Sequence, residues 1–528
     1  MAYVIGQNCC KDASCISVCP VNCIGLSTNE FHGAQAMLYI DPDVCIDCGA
    51  CAEECPVDAI YPEDDLPESQ QPFKQINAIQ MPLTPYDSEA NDVVVSGGRT
   101  APLRVAIVGT GPSACYAVEA LVDTGTEVNV FERLTTPFGL VRAGVAPDHQ
   151  RTKRIVDRFS QALSAPGVRC HFNLDIGRDI THDELLAHHH AVIYAVGAPV
   201  GRELDIPGAR LTGVDAAIDF VAWYNGHPDH VTNTYELSGE RAIVVGNGNV
   251  AIDVARILLM DRDALALTDI AEPALAALLD SNIREVVIFA RRDFRAAAFS
   301  IGEFLALGNL DGVDVEIHGD DLAAVEGDTA SVTLALDAAR AYTQRPPTHG
   351  NKRIVFRFGM TPVRVVGDVS ASGLVVTPTG GRGTEELIES PLILCAIGSK
   401  VAPGLPLPID EQGAIRNDRG RVVDDATTVM SGLYVTGWAK RGPSGVIGSN
   451  RTCAAETVRA VIDDREDLLA RQLLPTGELQ NMLDERGLQA LTWSQWSLVD
   501  AAEVACGTQK GVPRVKFTHV EDVLSIIG

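Results

Sequence analysis

Short apolar runs that stop at a glycine organise this chain. Val105–Val108 is such a run; it ends in Gly109-Thr110-Gly111-Pro112-Ser113-Ala114, and a helix-like stretch, Cys115–Thr124, follows. A buried strand, a tight turn and a helix are expected there. The pattern recurs at Arg241–Val245, which opens into Gly246-Asn247-Gly248-Asn249-Val250-Ala251. Val128–Glu132 and Glu285–Ala290 supply the next strand in each case. Ala191–Gly197 and Leu392–Gly398 have the form of buried parallel strands ending in glycine. Such strands lead the chain from one dinucleotide domain to another, so the segment between them reads as an insertion. Gly432–Trp438 is a further strand reaching a turn, followed by Lys440-Arg441-Gly442-Pro443-Ser444-Gly445-Val446-Ile447-Gly448.

The two Gly turns carry chemistry as well as shape. Gly109 makes the turn, Gly111 lets the backbone approach a pyrophosphate, and the small Ala114 lets the helix pack close to its strand. The strand Val128–Glu132 ends in an acid, and a carboxylate at Glu132 accepts hydrogen bonds from a ribose. The bland alternative is an ordinary strand–helix turn. The second partner strand ends in Arg291-Arg292 instead. Two guanidiniums suit a 2′-phosphate, which predicts NADP; the alternative is a solvated basic pair.

Cysteine usage changes the picture of the N-terminus. Nine of the 14 cysteines lie between Cys9 and Cys55. Cys45-x2-Cys48-x2-Cys51-x3-Cys55-Pro56 is the bacterial ferredoxin run, whose fourth thiolate ligates the other cluster. Upstream, Cys9-x2-Asp12-x2-Cys15-x3-Cys19-Pro20 repeats the spacing with Asp12 in place of the second Cys. Crossing the ligands predicts a 4Fe–4S cluster on Cys45, Cys48, Cys51 and Cys19. Cys9, Cys15 and Cys55 then hold either a 3Fe–4S cluster or a 4Fe–4S cluster completed by Asp12 or water. Cys10 competes with Cys9, and Cys23 reads as a non-ligand. Zinc is the alternative for a set of four thiolates.

Length and charge narrow the class. The 528 residues exceed one core and suit three or four units. A net charge of −28 argues against nucleic acid as a partner. No run of 18 apolar residues predicts a membrane span. The start lacks a basic n-region and an apolar h-region, so a cytoplasmic protein is expected. Residues 1–65 carry 11 Asp and Glu against Lys11 alone. That acidity leaves two arrangements open: docking on a basic face of the chain's own reductase, or service to a downstream oxygenase such as a P450. Phe73–Pro82 reads as a tail packing on the N-terminal unit. Tyr86–Pro102 reads as a linker whose reach lets that unit move.

Residues 1–80 resemble the seven-iron and eight-iron bacterial ferredoxins. From about 103 to 528 the chain resembles adrenodoxin reductase and its bacterial relatives, on Gly109–Ala114, Pro137–His149, Gly246–Arg256, Arg291-Arg292, Gly437–Gly448 and Leu491–Ala505. The whole is similar to the bacterial ferredoxin/ferredoxin–NADP reductase fusions. The resemblance implies a multidomain α/β protein: a ferredoxin-like α+β iron–sulfur domain followed by two Rossmann-like domains of the glutathione-reductase type. The expected boundaries are a ferredoxin domain at 1–85, a linker at 86–102, an FAD domain at 103–207 and 394–460, an NADP domain at 208–393, and a C-terminal extension at 461–528. FAD contacts carried over by position are Ala114, Glu132, Leu140, Ile176, Trp438, Gly445, Val446 and Ile447. NADP contacts are Arg202, Asn247, Gly248, Asn249, Val250, Arg291, Arg292, Glu303 and the backbone of Gly445. The family usually follows its Arg-Arg with Gly-Pro-Leu-Gln, whereas this chain has Asp293-Phe294-Arg295-Ala296. Asp293 would weaken NADP preference and Arg295 would compensate.

The implied activity is that of a ferredoxin–NADP reductase exchanging electrons among NADPH, FAD and iron–sulfur clusters, its own or those of an external ferredoxin. Hydride passes between nicotinamide and flavin, and single electrons pass to iron–sulfur. Asp148, His149 and Asp253 are the residues expected to tune or relay protons. No Cys-x2-Cys dithiol adjoins the flavin motif, which argues against a disulfide reductase. Alternatives are a glutamate-synthase-like electron-transfer subunit and a flavin- or metal-binding protein without turnover.

Overall fold

A computed structural model describes residues 2–27, 37–84, 102–381 and 383–528. Apart from Pro102, the expected linker lies outside these residues.

The first Gly turn belongs to a seven-stranded sheet. Its order is Asn417–Asp418, Arg421–Val423, Val429–Val435, Ala191–Tyr194, Arg104–Val108, Glu127–Glu132 and Val168–Phe172. Val105 pairs with Val128 on one side and Ala191 on the other, both in parallel. Strands buried on both faces explain the unbroken apolar runs. The sheet is thus assembled from two sequence segments, 104–194 and 417–435, called the flavin unit after the expectation above, on either side of the segment expected to take NADP, called the nicotinamide unit. That unit has six parallel strands, in the order Val214–Ala216, Leu392–Cys395, Arg241–Val245, Glu285–Phe289, Lys352–Arg357 and Val313–His318. An antiparallel three-stranded sheet, Met360–Gly367, Ala371–Pro378 and Glu386–Glu389, is attached to it.

Both turns need glycine for a close approach. Gly109 has φ +106°, and a Cβ there would meet the Ala195 carbonyl oxygen at 2.6 Å. Gly246 has φ +112°, and its Cβ would strike the Ala396 carbonyl. The helices that follow are Pro112–Val122 and Asn249–Leu259. The first starts three residues before the apolar stretch that predicted it, because Pro112 fits the first helical turn.

The C-terminal segment closes on the core. Thr492 and Gln495 form a capping box that opens the helix Trp493–Lys510. That helix buries Trp496 against the flavin unit and carries Glu503, which pairs with Arg142 and Arg514. Lys153, Asp269 and Lys516 form a buried group joining the flavin unit, the nicotinamide unit and the tail. Against the cost of burial, Lys516 and Lys153 hold Asp269 below the usual carboxylate range.

The N-terminal unit is small and paired by short strands: Tyr3–Ile5 with Ile60–Pro62, and Ile24–Ser27 between Tyr39–Ile40 and Leu83–Thr84. Its tail helix, Pro72–Ile79, packs on its own unit and also reaches beyond it. Asn77 bonds to the backbone of Ile5 and Ile40, but Phe73 abuts Gly302 and Gln80 Nε2 donates to Ser331 Oγ at 2.6 Å. Both Gly302 and Ser331 belong to the nicotinamide unit. Cys10, Val57 and Ala59 join the flavin unit's core, so the small unit is packed on both nucleotide domains. No helix among the described residues is long and apolar enough to cross a membrane.

Candidate active site

One cleft of about 1320 Å³ runs between the three units. Its wall includes Gly109, Gly111, Glu132, Leu140, Ile176, Trp438, Gly445, Val446 and Ile447 from the flavin unit. Arg202, Asn249, Val250, Asp253 and Glu303 line the nicotinamide side, His149 lies between, and Cys9 and Cys10 enter from the N-terminal unit. Ala114, Asp148, Asn247, Gly248, Arg291 and Arg292 are not part of that wall. Ala114 is fully buried against the first strand, and Gly248 caps the helix Asn249–Leu259.

The flavin side fits a dinucleotide. A Cβ on Gly111 would meet nothing within 4 Å, so the backbone is bare where a pyrophosphate would lie. Glu132 is held at the end of its strand: Thr110 Oγ1 donates to it at 2.6 Å, and the amides of Thr110 and Leu134 donate at 3.1 and 3.0 Å. Burial raises its carboxyl despite those donors. Trp438 Nε1 donates to the Ser444 carbonyl, which fixes the indole at the rim of the Gly445 turn. Ser449 Oγ accepts from the Val446 amide and closes that turn.

The nicotinamide side is a polar cluster. Ligand atoms of His149, Asp253 and Glu303 all lie within 4.8 Å of one another. Burial pushes the Asp253 carboxyl up to about 7; His149 pulls it down and Glu303 adds to the rise. Arg256, buried beneath, pairs with both Asp253 and Asp148. Asp148 therefore reaches the cluster through Arg256 and not directly. Sequence reasoning misses Arg256; its i, i+3 spacing from Asp253 is the signal that could have found it. Gln7 of the N-terminal unit donates to Glu303 at 3.3 Å.

Arg291 and Arg292 are exposed, and among the described residues their guanidiniums have no partner. The flanking side chains have partners of their own. Asp293 caps the short turn Phe294–Ala296 by accepting from the Ala296 amide. Asp328 takes the Arg295 guanidinium at 2.8 Å through two nitrogens. Asn249 is likewise engaged: its side-chain oxygen accepts from the Ser300 amide at 2.8 Å.

No disulfide joins any of the fourteen cysteines, which leaves each sulfur free to serve as a thiolate ligand. Burial and the neighbouring thiols of Cys45, Cys19 and Cys48 push Cys51 up to about 11, which groups those four. Cys15 is raised by burial and by Cys9, Cys55 and Cys51, so the two sets of sulfurs adjoin each other. Cys23 Sγ lies 3.5 Å from Cys19 Sγ. Asp12 lies at the contact with the flavin unit. Its carboxylate accepts from Tyr116 Oη at 2.7 Å and from Arg158 at 3.0 Å, and also from Ser14.

Residues 38–61 match the family of 4Fe-4S binding domains. The chain is 43% identical over its whole length to a probable ferredoxin/ferredoxin–NADP reductase of Mycobacterium leprae, covering 98% of that protein. It is 36% identical to the mitochondrial NADPH:adrenodoxin oxidoreductase of Arabidopsis thaliana over 81% of this chain and 96% of that one. Among solved structures, Mycobacterium tuberculosis FprA in complex with NADPH superposes with a TM-score of 0.75 at 38% identity, covering 81% of this chain and all of FprA. With a full-length match of this kind, the chain belongs to the ferredoxin/ferredoxin–NADP reductase family, as an oxidoreductase that joins an N-terminal 4Fe-4S ferredoxin domain to an FprA-like reductase.

Proposed function

We propose that this protein exchanges electrons between NADPH and iron–sulfur centres through FAD, with its own ferredoxin unit as the first partner. The observation that carries the reading is the single cleft whose wall holds the first Gly turn, the Asp253–Glu303 cluster and Cys9 together. Bound FAD, NADP(H) and iron–sulfur clusters supply the hydride and one-electron chemistry.

The chain's own residues bind, orient and shield. Gly109 and Gly111 open the floor for a pyrophosphate, and Glu132 fixes a ribose. Leu140, Ile176, Trp438 and Gly445 to Ile447 wall off water from the flavin ring. Asn247 to Val250 and Arg202 frame the second nucleotide, and Arg291 and Arg292 grip its 2′-phosphate by charge-assisted hydrogen bonds. Asp253, with its raised carboxyl, holds a proton that His149 and Glu303 exchange, and Arg256 keeps Asp148 and Asp253 in register. Cys19, Cys45, Cys48 and Cys51 hold a 4Fe–4S cluster. Cys9, Cys15 and Cys55 hold a 3Fe–4S cluster. An external ferredoxin, or an oxygenase of the P450 kind, receives the electrons onward. Reduced thiols as ligands fit a cytoplasmic setting.

Steady-state oxidation of NADPH with ferricyanide as acceptor tests the reading. Replacing Arg291 and Arg292 with Ala lowers kcat/KM for NADPH by about 10- to 100-fold, the worth of a lost charge-assisted bond. The value for NADH stays within about twofold. An equal loss with both nucleotides removes the 2′-phosphate role, and no turnover of the wild-type holoprotein with either contradicts the reading as a whole.

A further inference from the structure

The position that breaks the first ferredoxin motif is also the point where the small unit grips the reductase. Asp12 stands where the second loop has Cys48, and the backbones match there. Lys11 and Ala13 have φ +60° and +70°, as Asp47 and Gly49 have +58° and +79°. The surroundings do not match. Cys48 is exposed, whereas Asp12 is only 4% exposed.

What buries Asp12 comes from the flavin unit. Tyr116 on the helix Pro112–Val122 donates to Oδ2 at 2.7 Å, and Arg158 on the helix Ile155–Leu163 donates to Oδ1 at 3.0 Å. Glu119 holds the other side of the same guanidinium. The backbone is taken too. Arg451 donates to the Asp12 carbonyl at 2.9 Å, and the Gly448 amide donates to the Cys10 carbonyl at 2.8 Å. Gly448 comes so close that a Cβ would overlap the Lys11 carbonyl. A buried carboxylate with a guanidinium, a phenol and a serine hydroxyl already on its oxygens is satisfied as an anion. A hard carboxylate is in any case a poorer iron ligand than thiolate.

We propose that Asp12 is a latch that fixes the ferredoxin unit to the flavin unit, and that it does not ligate iron. The motif's vacated ligand position has been turned into an interdomain ion pair with Arg158 and a hydrogen bond with Tyr116. A consequence is that the Cys9–Pro20 loop is held against the flavin unit with Cys9 in the cleft wall, while Cys48 of the second loop is left exposed. Only the spectroscopic arm of the test rests on the reading of these thiols as an iron–sulfur site.

The test compares full-length holoprotein with Asp12→Asn, Arg158→Gln and Tyr116→Phe. Hydrogen exchange is followed in peptides spanning 9–16, 112–122 and 155–163, and the cluster type is read by EPR. The latch predicts at least tenfold faster exchange on both sides of the contact in Asp12→Asn and Arg158→Gln. Combining the two adds little, and Tyr116→Phe gives a smaller increase. The EPR signal keeps its wild-type form in all of them. A changed cluster signal in Asp12→Asn with Arg158→Gln spectrally silent would make Asp12 a ligand and overturn the proposal. Unchanged exchange in both variants would overturn it equally. Should Asp12→Asn fail to fold, the Arg158 and Tyr116 variants leave the cysteine loops untouched and decide the matter. A wild-type protein without any cluster signal would sink the iron–sulfur reading while exchange still judged the latch.

Discussion

The loops Cys9–Pro20 and Cys45–Pro56 have one design and two surroundings. Each has the same spacing, the same pair of left-handed residues and a short helix, Ser14–Ser17 in the first and Ala50–Glu53 in the second. Cys15 and Cys51 are similarly buried, at 8% and 7% exposure. The loops part at the second ligand position. The first loop presses on Gly448, Tyr116 and Arg158 of the reductase. The second shows Ile46 and Cys48 to solvent, with Ile46 at 58% exposure. Local backbone sets where a side chain starts, but the partner surface decides what it does. Next to an arginine and a tyrosine, a carboxylate is better satisfied than a thiol.

The largest effect that separates the loops comes from removing thiolates. Cys51→Ser is expected to lose the 4Fe–4S cluster, hence more than half of the bound iron, and Cys15→Ser the smaller share. Iron analysis and visible absorbance read both; equal losses would erase the difference between the sites. Next is Arg158→Gln, which leaves Asp12 buried without its cation and costs about 3–5 kcal/mol. Chemical denaturation followed by a probe in the small unit measures it, and a change below about 0.5 kcal/mol would mean the pair is not buried in solution. Gly448→Ala then forces the first loop off the flavin unit, with an expected cost of about 1–3 kcal/mol from overpacking, read by the same denaturation. Ile46 of the second loop is exposed among the described residues. Ile46→Ser is therefore expected to change stability by less than about 0.5 kcal/mol, while slowing reduction of an added ferredoxin if this face is the outward contact. A large destabilisation there would show that the second loop is covered as the first is.

Much of this is legible along the chain because the signals are local. Gly109 and Gly246 announce their turns within a few residues, and the strands on either side are unbroken apolar runs. The cysteine spacing likewise places two loops without any knowledge of the fold. What spacing does not carry is the identity of distant partners. Asp12 meets Tyr116 and Arg158, 104 and 146 residues away, and nothing periodic links them. Arg256 reaches Asp148 across the gap between two domains. Arg295 sits close to Arg291 and Arg292 in sequence, yet Asp328 claims it. The apolar face of the tail helix Pro72–Ile79 says only that it packs, not on what, so its contact with the nicotinamide unit has no signature in the sequence.

Anaerobic stopped-flow mixing of the holoprotein with NADPH, followed by freeze-quenched EPR, tests most directly whether the reductase cleft delivers electrons to the ferredoxin unit packed against it. Flavin absorbance is expected to bleach first, and a cluster signal then to change at a rate independent of protein concentration. Flavin bleaching with the cluster signals unchanged, or changing only in proportion to protein concentration, would contradict delivery within the chain.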